Sequence, residues 1–254
     1  MKTNLWLVLG VLLSTSTFAQ PTMTSGSGSN AAPSFPPPAP LSKAAQEKLS
    51  HMAPIFDGKT LDGWKFSSRS TNTLAQAWTV KDGAIASLGA DRDVLYTANN
   101  YGSYRIVFDI RHISGNKDHR ACVLFFCTAP EPGKKDLDAL GGVQFQVPNG
   151  GNWDYRPGFN KGGGPHFTKV AHPTFNEHEW SRVEILVNTN GTARMAVSQP
   201  VGTTAYEVLD FNDPAAGKVG PFGLQMHNKG LFDEYKDLRI EENPAEDKLI
   251  TLDK

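Results

Sequence analysis

The side chains best suited to chemistry lie close together in a glycine-rich stretch between Gly142 and Phe167. A carboxylate and an imidazole can transfer protons, a guanidinium binds oxygen anions, and flat aromatic faces stack on the C–H face of a sugar ring. The glycines allow backbone shapes closed to other residues, so the loop is either bent around a ligand or merely flexible. The stretch predicts a binding or catalytic loop that contains Trp153, Asp154, Tyr155, Arg156 and His166.

A short strand is predicted at the start of this stretch, where apolar and polar residues alternate. Successive strand side chains face opposite sides of a sheet, so Val143, Phe145 and Val147 should face a core. Gln144 and Gln146 should then face the other side, towards water or a ligand.

Two further predicted strands have one apolar and one polar face. Asp109 and Arg111 lie on the polar face of the first, and Gln225 and His227 on that of the second. The solvated outer surface of an antiparallel sheet would explain all of these faces. The choice of Gln, His, Asp and Arg, rather than Lys, Glu and Thr, favours recognition of sugar hydroxyls, which need donors and acceptors at fixed positions.

The elements that must position these residues are short strands, which follow one another from Ile55 onward with turn signals between them. The dipeptides Asp82-Gly83 and Asn190-Gly191 tolerate the positive φ of tight hairpin turns. No long stretch repeats with the helical period. The pattern predicts an all-β sandwich with little helix.

The charge and the first residues restrict where the protein acts. The formal net charge is -1, far from the basic excess that nucleic-acid binders need, so nucleic acid is not an expected partner. Lys2 precedes an apolar run too short to span a bilayer, and small residues follow up to Ala19, so residues 1–19 are predicted to be a signal peptide. No later run is apolar enough for a membrane helix, and the mature protein is predicted to be secreted or periplasmic.

Composition divides the remaining chain into three parts. Residues 20–53 are rich in Ser, Gly and Pro and are predicted to be a linker, with a short helix from Lys43 to His51 capped by Ser42. Residues 54–243 are predicted to form the globular domain, and residues 244–254 a C-terminal tail.

The cysteines and histidines predict neither a disulfide nor a metal site. Cys122 and Cys127 stand at an odd separation in one predicted strand, so they should be two buried thiols on opposite faces. No cofactor is predicted, although a cation bound by Asp109 and its neighbours is an alternative. The histidines that lack a metal-type spacing are His119, His166, His172 and His178.

Several motifs together resemble the 3-keto-disaccharide hydrolase domain family. They include FDGKTLDGW at residues 56–64, EWSRVEI at 179–185 and GLQMH at 223–227, and the likeness extends over residues 55–242. The resemblance implies a concanavalin-like jelly roll of two antiparallel sheets, with a sugar site on the concave sheet.

The resemblance also implies site residues, with four departures. The residues that match the family's motifs are Asp109, Arg111, Gln146, Gln225 and His227. Gln144 stands where the family has a Glu, and Pro148-Asn149 replaces the Asp that follows it. Residues 117–120 replace the family's Gly-Asn-Ser-Gly segment, and its Trp-Asn-Gly hairpin is absent after Met195. If that Glu is essential, this protein is altered in substrate or inactive.

The implied substrate is a 3-keto-disaccharide or 3-keto-glucoside, whose ketone makes the C2 hydrogen acidic. Elimination of the glycosidic bond and addition of water need a base, an acid and a partner for the enolate. The candidates are Asp109 or His227 as base, Asp154 or His166 as acid, and Arg111, Arg156 or a cation beside the enolate. The expected substrate-binding residues are Arg111, Gln144, Gln146, Trp153, Tyr155, Arg156, His166 and Gln225.

Three other interpretations stay open. Ordinary hydrolysis needs two carboxyl groups across the sugar, for which Asp109 and Asp154 are the candidate pair. A non-catalytic carbohydrate-binding module would use the same cleft without turnover. In a purely structural interpretation, Asp109 pairs with Arg111 and Asp154 with Arg156.

Overall fold

A computed structural model describes residues 34–116, 121–132 and 136–253 of the chain. The predicted signal peptide lies outside these ranges, as do residues 117–120 with His119. No helix in the described ranges is long and apolar enough to cross a membrane.

The described strands form two antiparallel sheets, which confirms the predicted all-β sandwich. The large sheet is ordered β10-β13-β12-β11-β6-β15-β4-β3, with a short ninth strand, β1, also paired to β15. Its strands are β1 Ala53–Pro54, β3 Trp78–Lys81, β4 Ala84–Ser87, β6 Tyr104–Ser114, β10 Phe167–Lys169, β11 Ser181–Asn188, β12 Thr192–Ser198, β13 Tyr206–Asn212 and β15 Phe232–Glu242.

The small sheet has six strands in the described ranges, ordered β2-β5-β14-β7-β8-β9. They are β2 Trp64–Ser68, β5 Asp93–Thr97, β7 Cys122–Phe125, β8 Val143–Gln146, β9 Gly151–Asp154 and β14 Gly223–Met226. The described helices are α1 Lys43–His51, α2 Leu74–Ala77 and two short 3-10 helices, Asp138–Gly141 and Ile250–Leu252.

The core lies between the two sheets and follows the predicted alternation. Ile106 and Phe108 of the large sheet and Phe145 of the small sheet are fully buried in one apolar cluster. Aromatic rings cross the gap, since the ring centroid of Phe108 lies 6.1 Å from that of Phe222. The residues between these apolar positions therefore lie on the outer faces of the sheets.

Both predicted hairpins are confirmed, with different turns. Asp82 and Gly83 have φ of 49° and 77°, as a two-residue primed turn requires. The second hairpin joins β11 to β12 through a longer loop, in which Gly191 has a φ of 90°. The local turn residues thus determine where the chain reverses.

The outer face of the large sheet is covered by the two ends of the described chain. Ser42 caps helix α1, and its Oγ accepts a hydrogen bond from the Ala45 N–H at 3.1 Å. Leu49 of this helix packs with Val107 of β6 and Ile250 near the C-terminus. Burial of each such apolar side chain stabilises the fold by about 1.5–3 kcal/mol.

These contacts differ from the predicted linker and tail. Residues 35–41 hydrogen-bond along residues 202–206, with the Thr204 N–H donating to the Ala39 carbonyl at 2.7 Å. The C-terminal segment is held by Glu184, whose carboxylate accepts from the Ile250 N–H at 2.9 Å and pairs with the buried Arg105. Arg105 and Val107 face outward on β6 but are buried. Helix α1 and the C-terminal segment pack over them and exclude water.

Candidate functional site

The outer face of the small sheet brings together the predicted polar residues of two strands. Gln225 of β14 lies opposite Cys122 of β7, and Cys122 lies opposite Gln146 of β8. Gln144 shares this side of β8 and lies opposite Trp153 of β9. These side chains line one surface across four strands, which we call the small-sheet face.

Two amides in the small-sheet face are buried without full hydrogen bonding. Gln144 and Gln225 are 0% exposed. The Gln144 amide nitrogen donates to Cys122 Sγ at 2.9 Å. Gln144 Oε1 and both polar atoms of the Gln225 side chain have no partner among the described residues. Since buried polar groups are normally hydrogen-bonded, these atoms mark a place for a polar ligand.

A chain of hydrogen bonds crosses the same face. Arg92 donates to the Tyr155 hydroxyl at 2.8 Å, and Tyr155 Oη lies 2.9 Å from His227 Nε2. His227 Nδ1 lies 3.1 Å from Asn228 Oδ1. The Asn228 amide oxygen can only accept, so His227 Nδ1 carries a proton and donates to it, and in the neutral imidazole Nε2 accepts from the Tyr155 hydroxyl. The hydroxyl also accepts from Arg92, so these side chains form one continuous chain of hydrogen bonds.

Packing fixes the Tyr155 ring, which is 7% exposed. It lies in an apolar cluster with Val94, Leu124, Ala139 and Leu140. Ala139 and Leu140 have left-handed φ of 48° and 53°, an unfavourable conformation that non-glycine residues keep only where the surroundings enforce it. Burial is the main cause that raises the pKa of Tyr155 to about 12, against the opposing effect of Arg92. The phenol is therefore neutral at neutral pH.

Trp153 offers an apolar surface at the edge of the small-sheet face. Its side chain is 37% exposed, and its indole N–H donates to Asn160 Oδ1 at 3.2 Å. The ring centroid lies 6.0 Å from that of Tyr155. An exposed indole beside buried amides suits a ring with one apolar face and several hydroxyls. The predicted stacking role thus fits Trp153, whereas Tyr155 is a buried hydrogen-bonding group.

Three other loop residues lie away from this face. Asp154 alternates with Trp153, so its carboxylate is buried on the core side, where it pairs with Arg156. Arg156 also binds Asp213 at 2.7 Å. His166 Nε2 lies 3.6 Å from the same Asp213 carboxylate. The structure therefore separates Asp154, Arg156 and His166 from the small-sheet face, and the alternative of a loop salt bridge describes the first two.

Asp109 and Arg111 belong to the other sheet. Asp109 accepts two hydrogen bonds from Arg182, at 2.7 and 3.0 Å. Burial raises the pKa of Asp109, although Arg182 opposes the shift. Arg111 pairs with Glu234, not with Asp109. Neither residue joins His227, because alternation predicts which side chains face outward but not which sheet they occupy.

The sequence pattern did not predict Arg92, Asn228 or Asp138 as site residues. Asp138 holds Arg92 at 3.1 Å and Arg69 at 3.3 Å, which orients the guanidinium that reaches Tyr155. Arg92 directly precedes β5, and Asn228 is the second residue after β14, so their positions become visible only once these two strands are known to pair. Within the described ranges, no group of three or more His, Cys, Asp or Glu residues could hold a metal ion.

The sequence of this chain matches the profile of a known protein family. Residues 51–241, well over half of the chain, match the profile of the 3-keto-alpha-glucoside-1,2-lyase-like domain. The chain belongs to this family. The matched part of this lyase-like domain contains the whole small-sheet face, and the resemblance seen in the sequence motifs is confirmed. No curated protein matches the chain.

Solved structures similar to this lyase-like domain include the carbohydrate-binding module CBM66 from Bacillus subtilis, at a TM-score of 0.50 and 13% identity over 76% of this chain and 98% of that chain. The GH43 BlXynB protein from Bacillus licheniformis has a TM-score of 0.48 and 10% identity, covering 71% of this chain and 37% of that one. The VIP36 exoplasmic/lumenal domain in its Ca2+/Man-bound form has a TM-score of 0.48 and 8% identity, over 75% of this chain and 87% of that chain. The likeness to CBM66 concerns the fold alone, which is a concanavalin-like jelly-roll sandwich.

Proposed function

We propose that this protein is an exported carbohydrate-active enzyme that cleaves 3-keto-glucosides or 3-keto-disaccharides by elimination followed by hydration. The observation that carries the proposal is the pair of buried amides, Gln144 and Gln225, whose unpartnered atoms face the same surface as His227. Sugar hydroxyls supply the donors and acceptors that such amides need. Membership of the 3-keto-alpha-glucoside-1,2-lyase-like family supports the choice of a 3-keto sugar.

The chemistry begins at C2 of the sugar. The C3 carbonyl acidifies the C2 hydrogen, a base removes that proton, and the electron pair forms a C1–C2 double bond as the C1–O bond breaks. The leaving oxygen takes up a proton, and water then adds across the double bond to release the free 3-keto sugar. The protein must therefore move one proton from C2 and deliver one to the leaving oxygen.

The small-sheet face offers distinct groups for these tasks. The amides of Gln144 and Gln225 would hold hydroxyl groups, and the exposed indole of Trp153 would stack on the apolar face of the ring. Of the bases and acids predicted from the sequence, which were Asp109, His227, Asp154 and His166, only His227 lies on this face. Gln144 cannot ionise as the family's Glu can, so proton transfer falls to the imidazole and its hydrogen-bonded partner Tyr155.

The test is aglycone release from a chromogenic 3-keto-glucoside and from its parent glucoside. Cleavage of the keto compound with the parent left intact is the expected result, because only the ketone acidifies C2. His227→Gln should lose about 100-fold or more of the rate. His166→Gln, the same substitution away from the face, should keep it.

Other outcomes would replace the proposal. Equal cleavage of both glucosides would indicate two-carboxylate hydrolysis, and saturable binding without turnover would indicate a carbohydrate-binding module. Export is checked separately, by N-terminal sequencing of protein recovered outside the cytoplasm, where a start after Ala19 is expected.

A further inference from the structure

The Tyr155 hydroxyl is held between a fixed cation and a proton acceptor. Arg92 donates to it at 2.8 Å, and the guanidinium carbon lies 5.2 Å from the centre of the Tyr155 ring. On the other side, the hydroxyl donates to His227 Nε2 at 2.9 Å. A phenol that passes its proton to an imidazole becomes a base itself, and a neighbouring guanidinium stabilises the charge that develops on its oxygen.

Two described carboxylates near the small-sheet face are engaged with other groups. Asp138 is paired with two guanidinium groups, those of Arg69 and Arg92. Asp136 accepts a hydrogen bond from the Ser67 hydroxyl. Asp93 of β5 alternates with the outward-facing Val94, so it faces the core side, where it accepts from Asn72. The Tyr155 and His227 pair is the proton-transfer group that lies on the small-sheet face itself.

We infer that Tyr155 is the catalytic proton-transfer residue of this site and that Arg92 is its positioning residue. This inference rests on the proposed function. Tyr155 Oη takes the C2 proton of the 3-keto sugar while its own proton passes to His227 Nε2, which becomes an imidazolium. The electron pair of the C2–H bond forms the enolate and then the C1–C2 double bond. As the C1–O bond breaks, Tyr155 gives a proton to the leaving oxygen and recovers one from His227.

The surroundings of Tyr155 fit this cycle. Burial raises its pKa to about 12, so a free phenolate is not the resting base and a second acceptor is required. His227 supplies that acceptor, and its Nδ1–H donates to Asn228 Oδ1 at 3.1 Å, which orients the ring and stabilises the imidazolium. The proton taken from C2 and the proton delivered to the leaving oxygen thus pass through the same two side chains.

The experiment compares Tyr155→Phe with Tyr206→Phe. Tyr206 is a matched control, because its hydroxyl bonds to the Pro36 carbonyl on the large sheet. With a 3-keto-glucoside, Tyr155→Phe should lower kcat by about 100-fold or more and leave KM nearly unchanged. It should also abolish exchange of the C2 hydrogen with D2O, followed by NMR. Tyr206→Phe should match the wild type in both assays.

A double-variant cycle separates a relay from loss of structure. Tyr155→Phe combined with His227→Gln should be no slower than the slower single variant, because the two groups act as one unit. Arg92→Met should lower kcat, and Arg92→Lys should recover part of it. A purely structural role of these residues would give additive losses and no recovery with lysine.

The outcomes also separate this inference from the proposed function. If the wild type cleaves the 3-keto-glucoside and Tyr155→Phe keeps its rate, the assignment of Tyr155 is overturned and the proposed function stands. If the wild type binds the sugar but neither cleaves it nor exchanges its C2 hydrogen, the proposed function itself fails.

Discussion

Replacing Gln225 by methionine should stabilise the protein while it removes a ligand contact. The Gln225 side chain is fully buried, and neither of its polar atoms has a partner among the described residues. Each buried polar group without a partner costs about 1–3 kcal/mol. Methionine has a similar length and no polar group to desolvate.

The expected gain in stability is the cost of the unpartnered amide minus the cost of repacking around methionine. Volume-conserving swaps in a packed site cost less than about 1.5 kcal/mol, so removal of the amide leaves a net gain of about 1–2 kcal/mol in the free energy of unfolding. For a domain of this size, that gain raises Tm by roughly 2–8 °C. Sugar binding should weaken at least about tenfold, since a hydroxyl loses its buried partner.

Urea denaturation of the ligand-free protein measures the effect. Gln199→Met is the matched control, because Gln199 accepts from the Asn176 N–H at 2.9 Å and donates to the Asn176 carbonyl and to Ser181 Oγ. That variant should lose stability, since it removes three satisfied bonds. The midpoint should shift in opposite directions for the two variants, with little change in the m-value.

A loss of stability in Gln225→Met would refute this reasoning. It would mean that the amide supports the fold, and the case for a ligand at the small-sheet face would lose its main observation. Unchanged sugar affinity in a stabilised variant would refute the predicted role of Gln225 in sugar binding, because the amide would then be an unpartnered polar group that contacts no ligand.

Three further predictions concern other parts of the fold. Glu184→Gln should lower the free energy of unfolding by about 3–5 kcal/mol, because it removes the fully buried carboxylate that pairs with buried Arg105. Glu241→Gln removes the other partner of Arg105, whose side chain is 39% exposed, and should cost less than about 1 kcal/mol; equal losses by urea denaturation would contradict this. Burial raises the pKa of Asp93 above its value in the unfolded chain, so its contribution to stability is present at low pH and declines as pH rises through the folded-state pKa. Asp93→Asn should therefore gain stability relative to the wild type between about pH 3 and pH 7, and a constant difference would show that this pKa is not raised. Cys122 and Cys127 are buried and in no disulfide, so mass analysis should find two thiols modified after denaturation and none before it.

Local pattern predicted much of the fold and part of the site. Val143 and Phe145 face the core as their alternation required, and Gln144 faces outward between them. Asp82-Gly83 reverses the chain, because Asp and Gly tolerate the left-handed φ of a tight turn better than most residues do. Ser42 caps helix α1 as predicted, since a cap depends on only a few neighbouring residues.

Long-range pairing decided the rest. Asp109 and His227 have the same local pattern, yet β6 pairs with β11 and β15 while β14 pairs with β5 and β7. Such pairings join residues far apart in the chain, and alternation carries no information about them. The packing of residues 35–52 on β6 likewise depends on a surface that exists only after the large sheet has formed.

Tyr155 shows the difference most clearly. The sequence by itself determined that an aromatic residue with a polar tip lies in a glycine-rich loop beside Trp153, and stacking on a sugar was the natural interpretation. Only the tertiary structure decided that this ring is buried, with its hydroxyl between Arg92 and His227. The physical reason is that a hydrogen-bond partner is chosen by proximity in space, and these three residues meet only when β5, β14 and the loop after β9 come together.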